Sequence, residues 1–163
     1  MKLSIFIVLS LIILIALVRC NRGSYKNNEA KKYFGEEKYA ELQIECTDKS
    51  QLSVANNLIE KARKVMCFTG SKEQADTENF GALSQYYYFN SDVSVSAVSK
   101  ADVDIQLITT KQEGNSGFLW VKYAAQYYDE KQELISGQAD ILSRWKIAKQ
   151  GDGWIVTAID EMP

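Results

Sequence analysis

Apolar residues run almost without interruption through the first segment of the chain. Between Leu3 and Val18 only Ser4 and Ser10 are polar. As a helix this segment extends roughly 24 Å, whereas the apolar core of a bilayer needs about 30 Å and the apolar part of a signal peptide only about 7–15 residues. Its length therefore predicts either a retained signal anchor or a cleaved signal peptide over residues 1–20.

The side of the membrane on which the rest of the chain lies depends on two opposing signals. Arg19, Arg22 and Lys26 follow the apolar run and favour the cytoplasm under the positive-inside rule. The very short segment before the run favours export instead. Of the two we expect export, so that the chain is membrane-anchored with its domain outside the cytoplasm, or is secreted after cleavage.

Past this segment the pattern becomes polar and then helical. Residues 21–38 are rich in charged and amide side chains, which predicts a linker followed by a single domain over residues 39–163. Residues 39–46 fit either a strand or the end of a helix. Beyond them, apolar positions at spacings of three and four predict an amphipathic helix. These positions are Leu52, Ala55, Leu58, Ile59, Ala62, Val65 and Met66.

Both ends of this helix carry recognisable signals. Thr47, Asp48 or Ser50 can cap its first turn, and Gly70 can end it. A second, weaker helical pattern follows, and its apolar positions are Ala75, Phe80, Leu83 and Tyr87.

From about residue 91 the apolar period changes to two, which is typical of strands. Polar turns at residues 114–117, 129–131 and 150–153 divide this region. The residues that share one strand face are Leu119, Val121, Tyr123, Ala125 and Tyr127, and then Ala139, Ile141, Ser143, Trp145 and Ile147. Helices placed ahead of an antiparallel meander predict an α+β fold, with the helices packed on a curved, cone-like sheet.

The composition excludes several kinds of chemistry. The 163 residues include no histidine, three cysteines, 19 basic residues and 21 acidic residues. Ser-His-Asp and Cys-His catalysis and His-ligated metal sites are thereby excluded. Without a basic excess, nucleic acid is not an expected partner. We therefore predict no catalytic residues, no metal and no cofactor.

The last part of the chain resembles a known superfamily. Residues 118–162 comprise a strand, a turn, a strand ending Arg144-Trp145-Lys146-Ile147, a Gly-Asp-Gly turn and a final strand from Trp154. This is similar to the hairpin that closes the cone of helices and curved sheet in the nuclear-transport-factor-2-like (NTF2-like) superfamily. The resemblance implies the cone fold. It does not select a function, because this superfold hosts enzymes, ligand binders and assembly modules.

The resemblance also bears on catalysis and on partners. Enzymes of the superfamily place an Asp base with a Tyr or His partner inside the cone, and no Asp of this chain matches that position. Asp102, Asp104 and Asp140 fall on the polar side of the strand alternation, where they are expected to face solvent. Assembly subunits of bacterial secretion systems in the superfamily resemble this chain more closely, because they join one membrane helix to the cone.

Two functions follow as hypotheses. The first is a non-enzymatic, membrane-tethered or exported module for protein interaction or assembly, with a protein partner or a second copy of itself. The alternative is a binder of a small apolar ligand in an aromatic-lined cone. Its candidate lining residues are Tyr86, Tyr88, Trp120, Tyr123, Tyr127 and Trp145, and the same side chains could equally form the core.

Two cysteines follow the anchor region, near the two ends of the predicted helix. Cys46 precedes that helix and Cys67 ends it, so the helix separates them by roughly 24 Å. A disulfide requires Cα atoms within about 7 Å of each other. Free, buried thiols are therefore favoured over a bridge, which would require the chain before Cys46 to double back.

Overall fold

The computed structural model describes residues 28–78, 80–87 and 98–162. The predicted membrane segment, from Leu3 to Val18, lies outside these ranges, and so does Tyr88. No helix within the described ranges combines the length and the apolar character that crossing a membrane requires.

The chain divides into two compact units between Ala40 and Glu41. In the first unit, residues 28–34 are helical (α1), and a second helix (α2) covers Glu36–Ala40. Gly35 lies between these helices with a φ of 83°, a left-handed conformation that favours glycine. Most of this helical segment falls in the range that the sequence predicts as a linker.

The second unit begins with a short 3-10 helix, Glu41–Gln43, and continues into the long helix α3, Lys49–Met66. The Asp48 carboxylate accepts hydrogen bonds from the backbone N–H groups of Ser50 at 2.8 Å and Gln51 at 3.3 Å. These bonds satisfy donors that the start of a helix leaves unpaired. The predicted helix is confirmed, and its buried residues are Ala55, Leu58, Ile59, Ala62, Val65 and Met66.

The second predicted helix is split into two shorter pieces. Helix α4 covers Lys72–Glu78, and a 3-10 helix covers Gly81–Tyr86. Gly81 adopts a φ of 58°, outside the right-handed helical region, so a continuous α-helix does not pass through it. Leu83 is nevertheless buried, as the predicted apolar pattern requires. Tyr86, which is outside that pattern, is buried too.

Four antiparallel strands follow as a meander in chain order. They are β1, Lys100–Glu113; β2, Ser116–Tyr128; β3, Leu134–Gln150; and β4, Gly153–Met162. Gly114 and Gly151 occupy the turns of the first and last hairpins with φ values of 59° and 58°. Both turns lie where the sequence predicts them, and both need the left-handed conformation that glycine adopts without strain.

The core lies between the helices and one face of the sheet, which confirms the predicted α+β fold. Alternation along each strand points every second side chain at this helix-covered face. The sheet residues buried there are Ile105, Leu119, Val121, Tyr123, Ala125, Tyr127, Trp145, Ile147 and Val156. Against them pack the buried residues of α3 together with Ala75, Leu83, Tyr86 and Tyr87.

Candidate functional site

The structure places the predicted pocket residues in three different situations. Tyr86, Tyr123, Tyr127 and Trp145 are buried in the core on the helix-covered face. Trp120 is fully buried on the opposite face, because it alternates with Leu119 and Val121 along β2. Tyr88 lies outside the described residues.

Tyr86 and Trp145 are joined by a small buried hydrogen-bond network. The Trp145 indole N–H donates to the Tyr86 hydroxyl at 2.7 Å and lies 3.0 Å from the hydroxyl oxygen of Ser143. The Tyr86 and Ser143 hydroxyls are 2.9 Å apart. Burial raises the pKa of Tyr86. All three polar groups are thus satisfied within the core, where an unpaired group would be destabilising.

A second network lies beside this one at the edge of the core, where the Tyr86 and Tyr123 rings meet edge to face with centroids 5.5 Å apart. The Tyr123 hydroxyl donates to the Glu161 carboxylate and lies 3.0 Å from Gln138 Oε1. The Gln85 amide donates to the other Glu161 oxygen at 3.4 Å. Burial raises the pKa of the Glu161 carboxyl group, and burial together with the hydrogen bond to Glu161 raises the pKa of Tyr123.

The sequence analysis did not identify Glu161 as a site residue, although the alternation along β4 indicates that it faces the core. Ser143 pairs with Glu161 across β3 and β4, as Trp145 pairs with Ile159. Since Ser143 and Trp145 are predicted to face the core, the β4 alternation places Glu161 on the same face. The Glu161 carboxyl group, with its raised pKa, lies between a phenol and an amide and can hold or release a proton. Its hydrogen bonds also fix the end of β4 to the sheet.

A second candidate site, a cavity, lies elsewhere, between α3, Glu78 with residues 80–83, and the β3–β4 hairpin. Its volume is about 670 Å³, within the range of about 300–1,000 Å³ that is usual for small-molecule sites. Its apolar walls are Leu58, Val65, Phe68, Phe80, Leu83, Ile155 and Val156. None of the predicted pocket aromatics that the structure describes lines it.

The charged groups around this cavity are two lysines and one glutamate. Lys61 and Lys64 of α3 line it together with Glu78 and Gln150. Both lysines are exposed, and neither forms an ion pair within the part of the chain that the structure describes. The same two lysines border a neighbouring groove of about 410 Å³ beside Trp154, where Glu60 and Asp152 offset their charge. The cavity therefore combines apolar walls with a rim that attracts negative charge.

The cysteines and strand aspartates have no role at this site. Cys46 is a partly buried free thiol, and Cys67 is an exposed one. Asp102, Asp104 and Asp140 are exposed, as the strand alternation predicts. Within the described ranges, no group of three or more Cys, Asp or Glu side chains is arranged to hold a metal ion.

Comparisons with known proteins find partial similarity to solved structures. No family model and no curated protein matches the chain. It is similar to the solved structure of a proposed calcium/calmodulin-dependent protein kinase type II association domain from Thiobacillus denitrificans, with 11% identity, a TM-score of 0.34, and coverage of 50% of this chain and 57% of that one. A proposed dehydratase from the NTF2-like family from Streptomyces avermitilis matches with 11% identity, a TM-score of 0.36, and coverage of 50% and 56%.

The chain thus spans a little over half the length of each of these two proteins. No activity, ligand or partner follows from these matches.

Proposed function

We propose that this protein binds a small apolar ligand carrying a negative charge, and that it does so without catalysing a reaction. In this proposal the helices and the sheet form the cone that the sequence predicts, and the cavity of about 670 Å³ beside the β3–β4 hairpin is the binding site. The observation that carries the proposal is the combination of buried apolar walls with two lysines at the rim.

The walls supply the binding free energy. Leu58, Val65, Leu83 and Val156 are buried residues whose side chains belong to the core and also border the cavity. An alkyl chain or ring placed against them removes apolar surface from water, at about 25 cal/mol for each Å² buried. Phe68 and Phe80, whose rings meet edge to face at 73° with centroids 5.5 Å apart, add aromatic surface to the wall.

The rim supplies selectivity for charge. Lys61 and Lys64 are separated by three positions, so they lie on the same side of α3. A carboxylate or sulfonate at the cavity mouth can pair with both ammonium groups, whereas an uncharged head group of equal size cannot. Electrostatic complementarity of this kind favours one class of ligand more than it raises overall affinity.

Dodecanoate and dodecanol are a suitable pair of probes, because they differ in the charge of the head group. We expect calorimetry to show saturable binding of dodecanoate to one site, with weaker binding of dodecanol. Changing Lys61→Glu and Lys64→Glu together should weaken dodecanoate binding about tenfold. The matched control is Lys49→Glu with Lys131→Glu, since both lysines are exposed and neither lines the cavity.

Two results would overturn this proposal. One is an absence of saturable dodecanoate binding to the folded wild-type chain. The other is equal weakening by the rim variant and by its control, which would show a general effect of net charge. Dodecanol binding should be the same in all three proteins, because the substitutions leave the apolar walls intact.

The predicted membrane-tethered assembly module is our second candidate function. Its basis is the apolar run from Leu3 to Val18, with two exposed apolar side chains, Ile44 and Ile108, that could contact a partner. Thr109, next to Ile108, donates a hydrogen bond to the Ile44 carbonyl, which brings the two segments together. This candidate includes the predicted location outside the cytoplasm, with the anchor retained or removed.

Mass spectrometry of the native protein after separation of membrane and soluble fractions tests the second candidate. A full-length mass in the membrane fraction is expected, together with crosslinked oligomers that disappear in Ile44→Asp and Ile108→Asp variants. A mass beginning near residue 20 in the soluble fraction, from a monomeric protein, would refute tethering and assembly together.

A further inference from the structure

The second face of the sheet, opposite the helix-covered core, carries a group of basic side chains near the β1–β2 hairpin. Lys111, Phe118 and Lys146 are cross-strand neighbours in one row across β1, β2 and β3. The next row contains Thr109, Trp120 and Arg144. The three cations therefore lie on one face within two adjacent rows.

Arg144 is held in place by an acid that lies far away in the sequence. Its Nε and Nη2 atoms donate to the two carboxylate oxygens of Glu41, at 2.6 and 2.7 Å. The Trp120 indole N–H donates to the same carboxylate at 2.8 Å. The guanidinium carbon lies 5.2 Å from the centre of the Phe118 ring. The arginine is only 7% exposed, so its position is fixed by the fold.

One donor of this arginine is left without a partner. Arg144 Nη1 is buried and makes no hydrogen bond within the described part of the chain. Glu41 occupies Nε and Nη2, so Nη1 lies on the side of the guanidinium away from that carboxylate. Buried donors of charged groups are nearly always hydrogen-bonded. Because Nη1 itself is covered by protein, what Arg144 can offer a ligand is the fixed charge of its guanidinium.

Arg144 does line a cavity, of about 400 Å³. Lys111, Lys146 and Phe118 line it as well, and Ser116 and Thr157 add hydroxyl groups. Lys111 pairs with Glu113 at 2.6 Å, whereas Lys146 forms no ion pair within the described ranges. Glu113 lines the cavity too, and Asp160 pairs with Arg144 across β3 and β4, so the positive charge left for a ligand is that of Lys146.

We propose that this cavity binds a small oxyanion, either free phosphate or a phosphate monoester group on a larger molecule. Lys146 and Lys111 pair with the oxyanion, and the Ser116 hydroxyl donates to one of its remaining oxygens. Arg144 supplies a fixed positive charge in the wall, which a planar guanidinium does without loss of its proton. This site is separate from the cavity beside the β3–β4 hairpin and does not depend on the ligand proposed there.

Titration with inorganic phosphate and with glycerol phosphate, at constant ionic strength, tests the proposal. It also distinguishes free phosphate from a phosphate monoester as the bound oxyanion. We expect saturable binding of at least one of them, detected by phosphorus NMR or calorimetry. Binding of inorganic phosphate indicates the free ion, and binding of glycerol phosphate alone indicates a monoester on a larger molecule. Binding of neither to the folded, full-length chain overturns the proposal.

Lys146→Met is the diagnostic variant, because this lysine is exposed and its removal leaves the Arg144–Glu41 pair intact. We expect at least fivefold weaker binding, with recovery in Lys146→Arg. Lys149→Met is the matched control, since this lysine is exposed on the same strand and does not line the cavity. Equal affinity in Lys146→Met and Lys149→Met would also overturn the proposal.

Discussion

Tyr123 of β2 donates a hydrogen bond to Glu161 of β4, across the intervening strand β3 on the helix-covered face of the sheet. The contact joins two strands that are not neighbours and lies at the end of the chain's last strand. It holds a carboxylate in a half-buried position where burial raises its pKa. This pair therefore links the stability of the fold to pH.

Glu161→Gln should remove that dependence on pH. The pKa of Glu161 is higher in the folded state than in the unfolded state. Its contribution to the free energy of unfolding is therefore fully present at low pH and is lost as the pH rises through the folded-state pKa. The amide that replaces the carboxyl group keeps an acceptor for Tyr123 and has no charge to desolvate. We expect the variant to gain stability relative to wild type as the pH rises from about 4 to 8.

Urea denaturation at several pH values measures this difference. The difference between variant and wild type should be smallest at low pH, where Glu161 is protonated in both states. Glu130→Gln, in the exposed turn between β2 and β3, is a suitable control. A difference in stability that is the same at every pH would show that Glu161 does not titrate as its burial implies.

Tyr123→Phe should destabilise the protein by about 1.5–3 kcal/mol near neutral pH, because a hydrogen bond to a charged, half-buried group is lost. The same loss should raise the pKa of Glu161 further, since the phenol donates to its ionised form. The destabilisation should therefore shrink as the pH falls and Glu161 becomes protonated. Equal destabilisation at pH 4 and pH 7 would contradict this interpretation.

The ion pair between Glu41 and Arg144 gives the largest expected change in stability. With side-chain exposures of 19% and 9%, the two groups are mostly shielded from water. Glu41→Ala leaves the guanidinium and the Trp120 indole N–H without their acceptor, and should cost about 3–5 kcal/mol. Glu45→Ala, at an exposed position nearby, should have little effect.

Chemical denaturation of the two alanine variants decides whether this ion pair stabilises the fold. Equal, small losses of stability in Glu41→Ala and Glu45→Ala would show that the 3-10 helix Glu41–Gln43 is not held on the sheet by this contact.

The two described cysteines should react with thiol reagents in the native protein. Cys67 is exposed and should be labelled first, while the partly buried Cys46 should follow more slowly. Burial of part of Cys67 raises the pKa of its thiol, so its labelling should still accelerate above pH 9. Peptide mapping after labelling without reductant measures both rates. A peptide in which Cys46 and Cys67 are joined by a disulfide would contradict the structure.

Local patterns were sufficient to predict most of the second unit. The three- and four-residue spacing of α3 and the alternation along β2 each identify a buried face without knowledge of the rest of the fold. The glycines of the outer hairpins mark the turns, because their conformation is a local requirement. The sequence did not predict the break before Gly81, since the apolar spacing alone fits one continuous helix.

The candidate sites depend on contacts between distant residues, and local patterns carry no information about them. Arg144 falls on the polar side of the β3 alternation, yet it is buried because Glu41, 103 positions earlier, covers it. The cavity beside the β3–β4 hairpin is formed by α3, Glu78 with residues 80–83, and that hairpin, which periodicity cannot place together. Tyr127 and Trp145, which the sequence offers both as pocket candidates and as core residues, pack in the core.

The most direct test of the proposed function is to locate bound dodecanoate by methyl NMR of the full chain. We expect progressive, saturable shifts for the methyl groups of Leu58, Val65, Leu83 and Val156, which border the cavity. The methyl groups of Leu134, which is exposed and does not line the cavity, should not shift. Absence of shifts, or shifts confined to exposed residues such as Ile44 and Ile108, would contradict binding in this cavity.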